Sequence, residues 1–373
     1  MSSDDLPEAD RVEGAPHPRE TERLFGQEAA EAGFLEAFNS GRLHHAWLLT
    51  GPLGVGKATL AWRIARFLLA TPMDQGGGLF GEAPPVYDTL DISPDHPVSH
   101  RLLARSEPGM FSITRSVNEK TGRLRDMITV DDVRGLTHFL TMSSTEGGRR
   151  VVIVDAADEM NVNAANALLK MLEEPPSLTT ILLISHQPSR LLPTIRSRCR
   201  ELRLSALKAD TMHMALVQAD ASEGESPALA ALSAGSVGEA VRLTRLGGLP
   251  MYQEIVSIFA TLPGLDRPRA MKLAEAAAAR GAADKFELLL TLIDVFLARL
   301  ARTGATGSAP VPEAAKGEAE VLLRLSPNPT KARQWADIAQ QISERTRHGQ
   351  AVNLDPAALV LDTVFKITET ASR

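Results

Sequence analysis

Three short apolar runs, AWLLT (46–50), VVIVDA (151–156) and TTILLIS (179–185), are separated by stretches of helical periodicity, and this alternation leaves the chain few folds to choose from. Continuous apolar runs without polar alternation suit strands covered on both faces, as in a parallel sheet between helices. The helices are legible from spacing. LAWRIARFLLA (60–70) is apolar on most sides, and Ala165, Leu168, Leu169 and Leu172 recur at i, i+3, i+4 and i+7 before Pro175-Pro176 stops the run. LFGQEAAEAGFLEAFNSG predicts an earlier helix with Phe34, Leu35 and Phe38 on one face, ended by Gly41. The alternation predicts a parallel α/β sheet up to about residue 205.

Other segments carry weaker patterns. Residues 1–20 are polar and acidic with no apolar targeting core, and read as a disordered tail. Residues 71–110, rich in Gly, Pro, Asp and His, read as a long irregular insertion. FSITRSV (111–117) and RLRDMITV (123–130) predict two strands around a turn, then a helix over DDVRGLTHFLTM with Asp131 or Asp132 near its start. Past residue 205 the strand signal ends. Residues 206–246 hold short helices around GES and AGSVG, and 247–373 are helical almost throughout. Asp284 with Glu287 three positions on predicts a capping box, Leu354-Asp355-Pro356 opens the last helix, and TGATGSAPVP (303–312) reads as a linker.

Composition removes several functions. Lys plus Arg is 40 against 46 Asp plus Glu, a net charge of −6, which argues against a DNA-coating polycation. Aromatics at 4% argue against a base-stacking platform, and the single Cys199 excludes a disulfide framework or an all-cysteine zinc module. No apolar run approaches the roughly 18 residues of a membrane span, so the expectation is a cytoplasmic chain with no membrane contact.

The strongest chemical motif is GPLGVGKAT, in which Gly51, Gly54, Gly56 and Lys57 have the spacing of a phosphate-binding loop between a strand and a helix. Glycines let amide groups turn toward phosphates, the helix N-terminus adds positive potential, and Lys57 reaches the outer phosphates. The hydroxyl that should follow the lysine and hold Mg²⁺ is replaced by Ala58, and Thr59 lies one residue on, about 100° around a helix. Two readings stand: a glycine-rich turn without ligand, or a nucleotide site. Asp155 ends its strand where a magnesium-supporting carboxylate would, but Ala156 follows in place of a water-orienting Glu, and its role is open between binding and structure. Asp158 and Glu159 read as the exposed start of a loop or helix. Asp91, Asp95, His96 and His100 raise a metal reading, outweighed by their loop context. Arg115, Lys120, Arg123 and Arg125 form a basic hairpin that reads more readily as solvated than as DNA-facing.

With the phosphate loop, VVIVDAADEMNVNAANALLKMLEEPP and IRSRCREL in view, the chain resembles the bacterial clamp-loader AAA+ family of DNA polymerase III, in its delta-prime branch. The resemblance implies an α/β P-loop (AAA+) domain with a parallel sheet over 21–205, a small helical lid over 206–246 and an all-α oligomerisation collar over 247–373. Ser197-Arg198-Cys199 matches the family's SRC motif, which implies that Arg198 is a finger presented to ATP on a neighbouring subunit; a surface salt bridge is the plainer alternative. Ser185 falls near the family's sensor-one position, with a simple strand-end hydroxyl as the equal alternative. Gly238, with Arg242 a turn later, falls where active members carry an arginine, and the family's zinc cysteines are absent.

The implied function is a subunit that helps load the sliding clamp onto primed DNA, with no catalysis by the chain alone. It would be part of the DNA polymerase III holoenzyme, a DNA-directed DNA polymerase, and of its ATP-driven loader. The implied partners are a gamma/tau-like ATPase subunit, a delta-like subunit, the clamp and, through the complex, primed DNA. ATP or ADP would be bound without hydrolysis at Gly51, Gly54, Gly56, Lys57, Thr59 and Asp155, with thin support for Mg²⁺ and no zinc. Two alternatives stay open: a self-sufficient gamma/tau-like ATPase, and a scaffold that binds no nucleotide.

Overall fold

A computed structural model describes residues 8–72, 85–118, 120–141, 148–221 and 226–372. They form two compact units, one of residues up to 220 with 236–238, the other of 221–235 with 239–373. The stretch expected as a lid, 206–246, is thereby shared between them.

The first unit contains α1 (Glu28–Asn39), β1 (Ala46–Thr50), α2 (Lys57–Ala70), α3 (Pro97–Leu103), β2 (Met110–Ile113), β3 (Val117–Asn118), β4 (Arg123–Leu124), α4 (Val130–Thr141), β5 (Arg150–Val154), α5 (Val162–Glu173), β6 (Thr179–Ser185), α6 (Pro193–Arg196), β7 (Arg200–Arg203) and α7 (Ala209–Gln218). Its five-stranded sheet has the order β2-β5-β6-β1-β7, and every neighbouring pair is parallel. The predicted parallel α/β sheet is therefore present. Its sides follow the two-residue period of a strand. Leu48, Val152, Val154, Ile181 and Leu183 pack with Val133, Leu136 and Leu140 of α4 and Leu168 and Leu172 of α5. On β1 the neighbouring Trp47 points the other way and meets Phe34 of α1 at 5.2 Å between rings. The α5 N-terminus is fixed by Asn161, whose side chain accepts the Ala164 amide at 2.8 Å.

Three expectations fail here for local reasons. FSITRSV is not one strand: Phe111 to Ile113 lie in β2 beside β5, while Val117 pairs with Leu124 in the small β3–β4 hairpin. The insertion contains the helix α3, capped by His96, whose Nδ1 accepts the Val98 amide at 3.2 Å; residues 73–84 lie outside the described residues. Residues 1–7 also lie outside them, but 8–20 are packed rather than a loose tail. His17 is 1% exposed and Arg19 8% exposed, held by Asp10 at 3.1 Å and Glu8 at 3.4 Å.

The second unit comprises α8 (Pro227–Ser233), most of α9 (Val237–Leu246), α10 (Gly248–Ala260), α11 (Arg267–Ala278), α12 (Ala283–Thr306), α13 (Glu318–Leu325), α14 (Pro329–Ala351) and α15 (Pro356–Ser372). As expected, α12 is covered on most sides, with Phe296 stacked on Phe259 at 5.1 Å. Its predicted capping box does not form: the helix starts at Ala283 with no side-chain cap, and Asp284 instead faces Arg245 at 3.6 Å. The linker begins later than expected, because α12 runs on to Thr306. Asp355 does cap α15, accepting the Ala358 amide at 3.0 Å. Glu318 is buried yet fully engaged, by Tyr252 and Arg299, each at 2.6 Å, and by the Ala314 amide at 2.7 Å.

Candidate nucleotide site and arginine turn

At its carboxyl edge β1 lies between β6 and β7, and the chain turns through residues 51–56 into α2. Gly51, Gly54 and Gly56 have φ of 140°, 74° and 99°, values that a side chain tolerates poorly. The first residue of α2, Lys57, is 3% exposed. Its ammonium donates to the carbonyls of Gly51, at 2.7 Å, and Pro52. Burial pulls its pKa down to about 8, against the opposing charges of Asp155 and Asp158.

Asp155 follows β5 on the same edge. Burial, then the charge of Asp10, pushes its carboxyl up to about 7, while Lys57 pulls the other way. Ser185 ends β6 fully buried, and its Oγ finds no hydrogen-bond partner among the described residues; neither does His186 Nδ1. Burial and then the Lys57 charge push His186 down to about 4, against Asp158. The edge thus gathers Gly51–Lys57, Asp155 and Ser185. Strand ends in an open α/β sheet are where such folds bind ligands.

The fit to a nucleotide divides by part. The glycine turn, the start of α2 and Lys57 suit a phosphate group. The hydrolytic parts do not fit: Ala58 offers no hydroxyl, Thr59 is one position around α2, and Ala156 offers no carboxylate. Asp158 is not a free surface acid; its carboxylate accepts the His186 and Gln187 amides at 3.0 and 3.2 Å. No sequence pattern announced that role, nor the approach of Asp10. The Gly238 amide donates to the Gly54 carbonyl at 3.1 Å, and a methyl on Gly238 would meet Gly54 Cα at 3.2 Å.

Arg198 is elsewhere. It lies in the turn between α6 and β7, and β7 begins where Arg200 pairs with Trp47, near the start of β1. The phosphate loop follows the far end of that strand. Arg198 is therefore at the opposite edge of the sheet from its own Lys57, about 13–16 Å along a strand of this length. Its guanidinium pairs with Glu173 at 2.8 Å, donates to the Thr194 carbonyl at 3.0 Å and is about one-third exposed. Beside it Cys199 is half-buried, its thiol pushed up to about 12 by burial, which leaves it unreactive.

Three of the remaining candidates have structural partners. Arg115 pairs with Glu159 at 2.8 Å, Asp91 with Arg63 at 2.9 Å, and Arg242 with Glu239 at 3.5 Å. Among the described residues no group of three or more His, Cys, Asp or Glu is arranged to hold a metal ion, and no helix is long and apolar enough to cross a membrane.

Residues 26–208 match the family described as DNA polymerase III, delta subunit. The chain is 41% identical over 214 residues to DNA polymerase III subunit delta' of Pseudomonas aeruginosa, covering 57% of this chain and 59% of that protein. It is 31% identical over 207 residues to DNA polymerase III subunit gamma/tau of Mycobacterium bovis, covering 56% of this chain and 32% of that protein. The chain spans a little over half the length of the delta' relatives. A gamma subunit-related protein of Thermotoga maritima aligns at 16% identity and a TM-score of 0.45, covering 91% of this chain and 99% of that one. Over residues 26–208, which hold the phosphate loop, Asp155 and the Ser197-Arg198-Cys199 turn, the chain resembles DNA polymerase III subunit delta prime.

Proposed function

We propose that this chain is a delta-prime-like subunit of a bacterial clamp loader, which lends Arg198 to ATP held by a neighbouring gamma/tau-like subunit and does not hydrolyse ATP itself. The observation that carries the reading is the separation of Arg198 from Lys57 across the sheet. A guanidinium at that edge cannot serve its own loop, but on a partly exposed turn it can serve another chain's. Its planar, permanent charge suits the charge that develops on a transferring phosphoryl group. Ala58 and Ala156 support the second half of the reading, since they remove the magnesium hydroxyl and the water-orienting acid.

In this account the chain helps place the sliding clamp on primed DNA within the DNA polymerase III holoenzyme, in the cytoplasm, through partners that include gamma/tau-like and delta-like subunits. The helices of the second unit would form the collar through which subunits assemble. Any ATP or ADP at Lys57 would be bound without turnover, held by Gly51, Gly54, Gly56, Lys57, Thr59 and Asp155. Co-expression with candidate loader subunits, followed by mass measurement of the intact assembly, tests this. A discrete heteromer containing this chain is expected. Failure to associate with both a gamma/tau-like and a delta-like subunit from the same source contradicts it.

A further inference from the structure

Residues 8–24 pack against the body of the first unit although their composition is polar. This polar segment is fastened along α2. Arg66 donates to the Arg19 carbonyl at 2.6 Å, Arg63 reaches the Glu22 carbonyl, and the buried His17 ring meets Trp62 edge-on at 5.9 Å. His17 in turn holds Asp10 at 3.1 Å, and Glu8 is held by Arg19 at 3.4 Å and by Arg105. So fastened, the segment touches the phosphate loop at Gly56 and its neighbour Gly238. Val12 Cγ2 is 3.4 Å from where a side chain on Gly238 would begin, and Leu24 Cδ1 is 2.5 Å from the same point on Gly56. Beneath Val12, Gly238 is hydrogen-bonded to Gly54. Lys57, which a phosphate would need, is turned onto loop carbonyls.

We infer that residues 8–24 are a built-in closure of the chain's own phosphate loop, latched by the His17–Asp10 pair, and that a nucleotide triphosphate or diphosphate reaches Lys57 only when the part before His17 lifts away. Two further features agree. The Asp10 charge is felt at Asp155, so it adds negative potential on the side of the loop where phosphates would sit. A cleft of about 660 Å³ is lined by the segment's own Glu8, Asp10 and His17 together with Trp62, Met110 and Thr114, so its residues before His17 are not packed solidly on every side. The inference rests on the nucleotide reading of the loop, not on the role of Arg198.

The test is an equilibrium titration of the full chain with a fluorescent ATP analogue. It compares the unaltered chain, the latch variant His17→Ala, the face variant Asp10→Ala/Val12→Gly, and each of these with Lys57→Ala. Thermal melts followed by circular dichroism identify which variants remain folded. If the closed form holds about nine-tenths of the population, opening it strengthens binding by about tenfold. That gain, abolished by Lys57→Ala, is the expected result. Equal, Lys57-dependent binding by the unaltered chain overturns the closure and leaves the loop reading standing. No binding by any folded variant overturns both, while the assembly and the role of Arg198 are unaffected.

Discussion

Replacing Arg198 with alanine is expected to lower ATP turnover of the reconstituted loader by at least about a hundredfold, since a finger of this kind contributes several powers of ten. The assembly's mass should not change. The pair that Arg198 makes with Glu173 is exposed and contributes no more than about 1 kcal/mol to folding, so the substitution leaves the turn intact. Lysine at the position restores a charge but not a planar fork, and should recover only part of the loss. Steady-state ATPase measured on the assembled complex reads both variants. Turnover equal to that of the unaltered complex would remove the proposed role.

Asp155→Asn is expected to stabilise the first unit at pH 8, and progressively less as the pH falls. The sign follows from proton linkage. Burial and the Asp10 charge raise the native carboxyl from 3.8 to about 7, so between those values the folded chain holds a proton that the unfolded chain has released. Stability contributed by the protonated form is therefore full below about pH 4 and lost as the pH rises toward 7. Asparagine keeps the site neutral throughout. With Asp155 partly buried by surface area, the gain at pH 8 relative to pH 4 is on the order of 2–4 kcal/mol. Denaturant unfolding at several pH values measures it. A variant no more favoured at pH 8 than at pH 4 would mean that Asp155 is already charged near neutrality and balanced by Lys57.

The sheet was readable because buried parallel strands need unbroken apolar runs, and residues 46–50, 151–154 and 179–185 have them. The short edge strand β2 was misjudged because period-two patterning continues from Phe111 into the hairpin and carries no mark of where the chain leaves the sheet. At Asp284 the local capping signal lost to tertiary packing, which starts α12 two residues earlier and turns the carboxylate to Arg245. The site divides in the same way. Gly51, Gly54, Gly56 and Lys57 are fixed by local spacing and are visible in it, whereas Arg198 is marked only by its likeness to the family's SRC motif. The packing of 8–24 was hidden, because its composition is that of a disordered tail. What orders it is a set of long-range partners, Arg63, Arg66 and Trp62, all on one helix. The opposite-edge placement of Arg198 likewise depends on strand register, which no local pattern encodes.

In the proposed role the chain contributes a cation to another subunit's nucleotide while lacking the means to cleave its own. ATP turnover by the purified chain alone, with Mg²⁺ and primed DNA, measures this most directly. The account predicts no turnover above that of the Lys57→Ala variant. Sustained turnover that disappears with Lys57→Ala would contradict it.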